Sequence, residues 1–159
     1  MSFIVKMGKK PDMLQVLNLI KELAVFEKEP DAVLLTESDL LRDGFGKDPL
    51  FKTFVAELEG KIVGMALFYP RYSTWKGKTI HLEDLIVQKD KRGLGIGKAL
   101  YTKVLQYAYT KEVKRVEWAV LDWNIPAINF YKNTGASILT DWYLAQMDQK
   151  ALQLYIKSL

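Results

Sequence analysis

The chain has 159 residues, of which 49% are hydrophobic and 26% are charged, a size and composition typical of a single soluble globular domain. It contains no cysteine and a single histidine, His81, which excludes disulfides, cysteine nucleophiles and histidine-based zinc sites, so we expect no metal. The net charge of +4 comes from lysines dispersed among acidic residues, a distribution that is typical of a solvated surface and does not indicate nucleic-acid binding.

The first half of the chain predicts a strand, two helices and three further strands. Phe3 to Met7 alternates apolar and polar residues and predicts the first strand. Asp12 is a candidate cap for a helix that carries an apolar stripe and ends near Glu27. A capping-box pattern at Thr36 begins a second helix, which stops near Gly44. The three strands follow at 53–58, 62–72 and 79–87, and the first two form a hairpin.

The second half predicts helices that alternate with strands. A helix follows the glycine-rich run at residues 92–97, and Arg115 to Val120 predicts a strand. Asn124 caps a further helix that Gly135 closes, and Ser137 to Met147 predicts final strands before a closing helix. This order predicts an α/β (α+β) fold, in which a mixed, mostly antiparallel twisted sheet carries helices on both faces, within one domain over residues 1–159.

The run Arg92-Gly93-Leu94-Gly95-Ile96-Gly97 is the most informative motif of the chain, because it joins a strand to a helix. Glycines let the backbone approach a phosphate closely, and the N–H groups at a helix start point at the anion. A Walker loop is disfavoured because Gly97-Lys98 is followed by Ala99, and the spacing and position differ from a dinucleotide fingerprint. We therefore expect a ligand that carries a pyrophosphate.

Two segments resemble the cofactor-binding segments of the Gcn5-related N-acetyltransferase (GNAT) superfamily. The pattern Arg-x-x-Gly-x-Gly at Arg92, Gly95 and Gly97 is similar to its coenzyme A pyrophosphate loop. The run from Asp122 to Tyr131 is similar to its second cofactor segment. The order of the predicted elements is also that of the GNAT acyl-CoA N-acyltransferase fold. The resemblance implies acetyl-CoA (coenzyme A) as co-substrate.

Two acidic residues, Glu83 and Asp84, lie within the strand predicted at 79–87. The end of that strand, His81-Leu82-Glu83-Asp84-Leu85-Ile86-Val87, otherwise has the apolar residues of a buried strand. Strict alternation places Leu82 and Asp84 on one face and Glu83 and Leu85 on the other. An isolated acid pair in a strand is commonly a solvent face. Since this strand leads directly into the glycine loop, we expect Glu83 to lie near the transferred acetyl group.

The resemblance extends to the diamine acetyltransferase family over nearly the whole chain. It rests on Phe26-Glu27, Asp43 to Gly46, Trp75-x-Gly77, Leu82-Glu83-Asp84 and the two cofactor segments. The stretches 72–77 and 119–124 look more like the branch that acetylates thialysine, a lysine analogue, than the spermidine/spermine branch. In the latter an aspartate stands where this chain has Ser73, so strong polyamine activity is not expected.

The resemblance also implies roles for individual residues. Glu83 would be the base and Tyr131 the acid. The cofactor would contact three segments: Leu85, Ile86 and Val87; Arg92, Gly93, Leu94, Gly95, Ile96, Gly97 and Lys98; Asn124, Ile125, Pro126, Ala127 and Tyr131. The amine would contact Phe26, Glu27, Trp75, Glu83, Asp84, Glu117, Trp118 and Ala119.

The sequence thus predicts an acetyl-CoA-dependent N-acetyltransferase that acts on a primary amine of a small molecule, either a lysine-like amino acid or a diamine or polyamine. Two alternatives stay open: a GNAT enzyme that acetylates proteins, and a non-catalytic acyl-CoA-binding module. No apolar run is long enough for a membrane span, and we expect a cytoplasmic protein with neither a membrane nor a nucleic-acid partner. The resemblance implies a homodimer, for which Trp142 and Tyr143 are candidate interface residues.

Overall fold

Five strands and five α-helices are present in the computed structural model, which describes residues 2–159. The chain divides into two compact units, one that extends to Ala119 and one that runs from Val120 to Leu159. The first unit holds β1 (Ile4–Met7), α1 (Met13–Phe26), α2 (Glu37–Phe45), β2 (Lys52–Leu58), β3 (Lys61–Ser73), β4 (Gly77–Val87), α3 (Ile96–Thr110) and β5 (Val116–Glu117). The second unit holds α4 (Ile125–Asn133) and α5 (Gln149–Lys157).

The five strands form one sheet in the order β1-β2-β3-β4-β5. The first four are antiparallel to their neighbours, whereas β5 runs parallel to β4. Helices α1 and α2 bury their apolar stripes on one face of the sheet, against a cluster that includes Met65, Leu67 and Ile86. Helix α3 covers the other face, where the ring of Tyr107 lies 5.1 Å from that of Phe68. The predicted mixed sheet with helices on both faces is confirmed.

The predicted side-chain cap is present at the N-terminus of α2 and is absent from α1. The capping box before α2 is present as predicted, because Thr36 Oγ1 accepts a hydrogen bond from the N–H of Asp39 at 3.2 Å and the Asp39 carboxylate accepts from the N–H of Thr36 at 2.9 Å. The side chain of Asp12 does not cap α1; it accepts from the N–H of Lys9 at 2.8 Å and closes a short 3-10 turn instead.

A close contact between the sheet and the start of α3 fixes the position of the glycine loop. Gly64 of β3 lies so near α3 that a Cβ atom there would be 3.1 Å from Leu100 Cδ1, 3.3 Å from Ile96 Cγ2 and 3.0 Å from the carbonyl oxygen of Ile86. A larger residue would therefore have to push the first turn of α3 away from the sheet. The absence of a side chain at Gly64 thus lets α3 begin directly beside the end of β4.

A β-bulge interrupts the alternation of β4. Leu67 of β3 lies opposite Asp84, but the next residue, Phe68, lies opposite Leu82, so Glu83 is an extra residue on β4. Residues directly opposite each other share a face of the sheet. Asp84 therefore shares the α1 face with Leu67, and Leu82 shares the α3 face with Phe68.

The bulge brings the two consecutive acids to the same face. Glu83 accepts a hydrogen bond from the hydroxyl of Tyr69, which packs against the α1 core. The expectation that Glu83 and Asp84 point to opposite faces is therefore wrong. The physical reason is that an extra residue in one strand shifts the period-two pattern by one position.

The second unit begins with the predicted helix and then departs from the prediction. Asn124 Oδ1 accepts a hydrogen bond from the N–H of Ala127 at 3.4 Å at the start of α4, and Pro126 lies in its first turn. Within the described residues no strand occurs between Ser137 and Met147, so the predicted final strands are wrong. Alternating apolar residues allow a strand, but a strand needs a partner for its backbone groups. The closing helix is present as α5.

Candidate active site

The glycine loop has the backbone that an anion cradle requires. Gly93 and Gly95 have φ angles of +81° and +80°, and a Cβ atom added at either residue would meet no atom within 4 Å. Only glycine adopts this conformation without strain, and the space above the loop is open. Helix α3 begins at Ile96, so the unpaired N–H groups of its first turn face this space. The loop therefore fits a pyrophosphate.

The side chain of Arg92 connects the glycine loop to β4 and α1. Its Nε donates a hydrogen bond to the carbonyl oxygen of Val87 at 3.0 Å, and its guanidinium lies 5.1 Å from the centre of the Phe26 ring. These contacts connect the end of β4, the loop and the end of α1. Phe26, a predicted substrate-binding residue, thus lies beside the predicted cofactor loop.

Next to the loop, one edge of β4 is open. The ladder between β4 and β5 consists of two residue pairs, Ile80 with Val116 and His81 with Glu117, and it ends there. The segment from Leu82 to Val87 pairs with β3 on one side and has no β5 partner on the other. β5 itself is shorter than the predicted strand from Arg115 to Val120. Backbone groups on this edge can bind an extended ligand or a developing negative charge.

Three carboxyl groups gather on the α1 face beside the open edge. Glu83 and Asp84 lie at the bulge, and Glu27 follows the last turn of α1. Burial raises the pKa of Asp84 to about 7, and the nearby charges of Glu83 and Glu27 add to this effect. Partial burial also raises the pKa of Glu27. A cation bound among these groups would relieve their mutual repulsion.

Glu83 is held in place by two aromatic residues. The Tyr69 hydroxyl donates a hydrogen bond of 2.6 Å to Glu83 Oε2, and His81 Nε2 lies 3.5 Å from the same oxygen. The rings of Tyr69 and His81 are 5.3 Å apart, on directly opposed positions of β3 and β4. Burial and the bond to Glu83 raise the pKa of Tyr69 to about 12, so it remains a donor at neutral pH. Sequence reasoning missed Tyr69.

The predicted substrate residues Glu117, Trp118 and Ala119, at the end of β5 and directly after it, do not lie on one face of the sheet. Glu117 lies opposite His81 and so shares the face of the acids, where Arg71 Nη1 is 2.6 Å from its Oε1 and Arg115 Nε is 2.9 Å from its Oε2. Trp118 contacts Tyr101 of α3, with ring centres 5.5 Å apart, on the other side of the sheet. Ala119 is exposed.

Trp75 lies apart from the acidic residues. It is 80% exposed in the turn between β3 and β4, and its backbone N–H donates to Ser73 Oγ at 3.2 Å. Glu83 follows Gly77 by six positions along the strand, which corresponds to about 20 Å of extended strand. Within this chain, neither Trp75 nor Ser73 therefore lies beside the carboxyl groups, and their roles in substrate binding stay predictions.

The second predicted cofactor segment and the predicted acid lie in the second unit. Asn124 uses its side chain as the cap of α4, and Ile125, Pro126 and Ala127 form the first turn. Tyr131 is on the same helix, with 8% of its surface exposed and its ring centre 5.4 Å from that of Phe130. The assignment of these residues to the cofactor and to proton transfer stays a prediction.

The raised pKa of Asp84 has a measurable consequence for stability. Between its ordinary value of 3.8 and about 7, the folded chain holds a proton at Asp84 that the unfolded chain releases, so this contribution to stability is lost as the pH rises through that window. We expect Asp84→Asn, which cannot ionise, to gain about 2 to 3 kcal/mol relative to the wild type between pH 5 and pH 8.

Urea unfolding of both proteins at the two pH values measures this difference. Asp43→Asn, a change at an acid paired with Arg42 on α2, is the control that should not reproduce the gain. A constant difference between the wild type and Asp84→Asn at both pH values would contradict the burial of this charge.

Comparison with known proteins identifies the family. Residues 13–136 match the acetyltransferase (GNAT) family. A thialysine N-epsilon-acetyltransferase of Bos taurus is 39% identical over 165 residues, which cover 96% of this chain and 97% of that protein. A spermidine/spermine N(1)-acetyltransferase-like protein 1 of Homo sapiens is 38% identical over 160 residues, covering 94% of this chain and 23% of that protein. An integron cassette protein from the mobile metagenome of V. cholerae superposes with a TM-score of 0.80 at 25% identity, covering 99% of both chains.

The open sheet, the glycine loop and these matches define an acetyl-group transferase. The chain belongs to the acetyltransferase (GNAT) family and is an N-acetyltransferase. Among residues 2–159, no helix combines the length and apolarity needed to cross a membrane. In the same described range, no group of three or more histidine or acidic side chains is arranged to hold a metal ion.

Proposed function

We propose that this protein transfers the acetyl group of acetyl-CoA to a primary amine of a small, lysine-like amino acid. The observation that carries the proposal is the group of three carboxyls, Glu27, Glu83 and Asp84, at the open edge of β4 beside the glycine loop. Burial and the charges of Glu83 and Glu27 raise the pKa of Asp84, and a buried acid of this kind is costly for the fold and typical of a functional site. The relatives with similar sequences over nearly their whole length support the amino-acid substrate.

The chain's own groups fit acetyl-CoA. The glycine loop and the first turn of α3 would bind the pyrophosphate, with Arg92 and Lys98 as nearby cations. The open edge between Leu85 and Val87 would bind the arm that leads to the thioester. Bound acetyl-CoA would supply the activated acetyl group. Backbone N–H groups on the open edge would stabilise charge on the acetyl oxygen.

Glu83 would prepare the amine for attack. A protonated amine with a pKa near 10.4 is not nucleophilic, so it must first lose a proton. Glu83, oriented by Tyr69, would accept this proton directly or through water, while Asp84 and Glu27 would hold the cation in place. Tyr131 would return a proton to the departing thiolate. Direct transfer requires no cysteine nucleophile, and the chain contains none.

The assembly and location belong to the same proposal. We propose a cytoplasmic homodimer in which residues 1–159 form one domain. Exposed apolar residues of the second unit support an interface, since Trp142 is 69% exposed and Leu144 is 79% exposed. Light scattering on the purified protein tests the dimer, and fractionation of cells expressing a tagged protein tests the location.

Turnover on a panel of amines tests the substrate. Thialysine, lysine, putrescine, spermidine, spermine and a lysine-containing peptide would each be incubated with acetyl-CoA, and the released thiol measured. We expect thialysine or a comparable amino acid to have the highest kcat/KM. A preference for the peptide would indicate a protein acetyltransferase. Binding of acetyl-CoA without turnover on any amine would indicate a binding module.

A further inference from the structure

We propose that Arg71 and Arg115 bind the α-carboxylate of the amino-acid substrate and thereby select amino acids over polyamines. This role rests on the proposed function, because it concerns the far end of the molecule whose amine lies at Glu83 and Asp84. Neither arginine belongs to the residues expected to bind substrate. Three observations carry the proposal: the face of the sheet on which the arginines lie, the net positive charge that they leave beside Glu117, and their spacing from Glu83 and Asp84.

The register of three strands places both arginines on the face of the acidic residues. Tyr69, His81 and Glu117 form one row across β3, β4 and β5, because each lies directly opposite the next. Arg71 and Arg115 are each two positions away, on β3 and before β5, and residues two apart along a strand share a face. This face therefore carries carboxyls at the bulge and guanidinium groups beyond the row of His81.

Glu117 holds the two guanidinium groups together and leaves a positive charge. Its two carboxylate oxygens each face one arginine, at 2.6 Å from Arg71 and 2.9 Å from Arg115. One carboxylate between two guanidiniums leaves a net charge of about +1, and each guanidinium has five donors in a fixed plane. The Arg71 side chain is 55% exposed, so donors remain accessible to a second carboxylate. Glu117 thus positions the arginines and is itself neutralised, which makes it a poor partner for an ammonium.

The spacing matches a lysine-like amino acid. Two residues along a strand span about 6.6 Å, so the backbone at Glu83 lies within about that distance of the backbone at His81, in the row that also contains Glu117. Six bonds join the side-chain nitrogen of thialysine to its carboxyl carbon, about 8 Å when extended. With its amine at Glu83 and Asp84, such a molecule would extend to the guanidinium groups beside Glu117. A polyamine in the same position would place an ammonium there, where it would be repelled.

A pair of substrates that differ only in the carboxylate tests this role. Thialysine and the diamine 2-(2-aminoethylthio)ethylamine, which lacks the carboxyl group, would be assayed with the wild type and with Arg71→Met. We expect kcat/KM for thialysine to fall about 10-fold or more through a higher KM, because a charge-assisted contact is lost. The value for the diamine should stay within about 2-fold or rise, since the substitution removes a repulsive charge.

Two further variants make the test specific. Arg42→Met removes an exposed arginine of α2 that pairs with Asp39 and Asp43, and it should leave the ratio of the two kcat/KM values unchanged. Arg71→Lys keeps the charge and should restore part of the preference for thialysine. If Arg71→Met does not fold, Arg115→Met, which removes the second guanidinium beside Glu117, replaces it in the comparison.

The outcomes separate this role from the proposed function. An unchanged ratio in Arg71→Met, or an equal loss on both substrates, would overturn the carboxylate site while leaving the acetyltransferase activity established. A wild type that acetylates neither substrate would overturn the proposed function itself. A lower thialysine preference in the methionine variant, with partial recovery in the lysine variant, would establish the site.

Discussion

Replacing Gly95 with aspartate is expected to abolish the stabilisation of the protein by acetyl-CoA. A ligand that binds only the folded chain stabilises it by about 2.7 kcal/mol at 100 times its Kd, which corresponds to a Tm increase of about 5 to 10 °C for a chain of this size. Gly95 has a φ of +80° immediately before α3, and its Cβ position is open space where the pyrophosphate would lie. A carboxylate there would add both bulk and like charge.

The matched control is Gly60→Asp in the turn between β2 and β3. Gly60 has a φ of +77° and equally open space around its Cβ position, so its substitution introduces the same backbone strain and the same charge away from the glycine loop. We expect both variants to lose a similar amount of stability, and only Gly95→Asp to lose the Tm increase with acetyl-CoA. A folded Gly95→Asp protein with the full increase would refute the assignment of the loop.

Local signals in the sequence predicted most of the first unit correctly. The capping box at Thr36, the hairpin after β2 and the apolar stripe of α1 are each encoded within a few neighbouring residues. The two glycines with positive φ between β4 and α3 are encoded in the same way. Such features can be predicted because the residues that form them are adjacent in the sequence.

The bulge at Glu83 could not be predicted from alternation, although the sequence contained a signal for it. Strict alternation would put one acid of the pair on the crowded α3 face, beside Leu82 and Phe68. An extra residue avoids this by turning both acids to the α1 face. Consecutive acids within a buried strand are thus an indication of a bulge, and burial together with the nearby charges of Glu83 and Glu27 raises the pKa of Asp84.

Features that depend on distant residues were missed for a different reason. The strand predicted for Arg115 to Val120 is present only where it faces β4, and the run from Ser137 to Met147 has no ladder within the described residues. The contact between Tyr69 and Glu83 spans 14 positions in the sequence and depends on strand register. The ion pairs of Glu117 with Arg71 likewise require the order of β3, β4 and β5. Composition and periodicity carry no information about register between strands.

Removing the proposed acid or the proposed base should reduce catalysis in different ways. Tyr131→Phe keeps the ring and its packing but removes the hydroxyl that would protonate the thiolate, so we expect kcat to fall by about 10-fold or more while acetyl-CoA still raises Tm. Glu83→Gln keeps an oxygen that can accept from Tyr69 but removes the base and the negative charge. We expect kcat/KM for the amine to fall by about 100-fold or more.

Steady-state kinetics at varied amine concentration, together with the Tm increase caused by acetyl-CoA, separates these effects from a general loss of structure. Tyr109→Phe is the matched control, because this tyrosine of α3 is 86% exposed and has no assigned role, so its kinetics should equal those of the wild type. If Tyr131→Phe and Glu83→Gln both retained wild-type kinetics, neither residue would transfer a proton. Water at the open edge of β4 would then have to accept the proton of the amine.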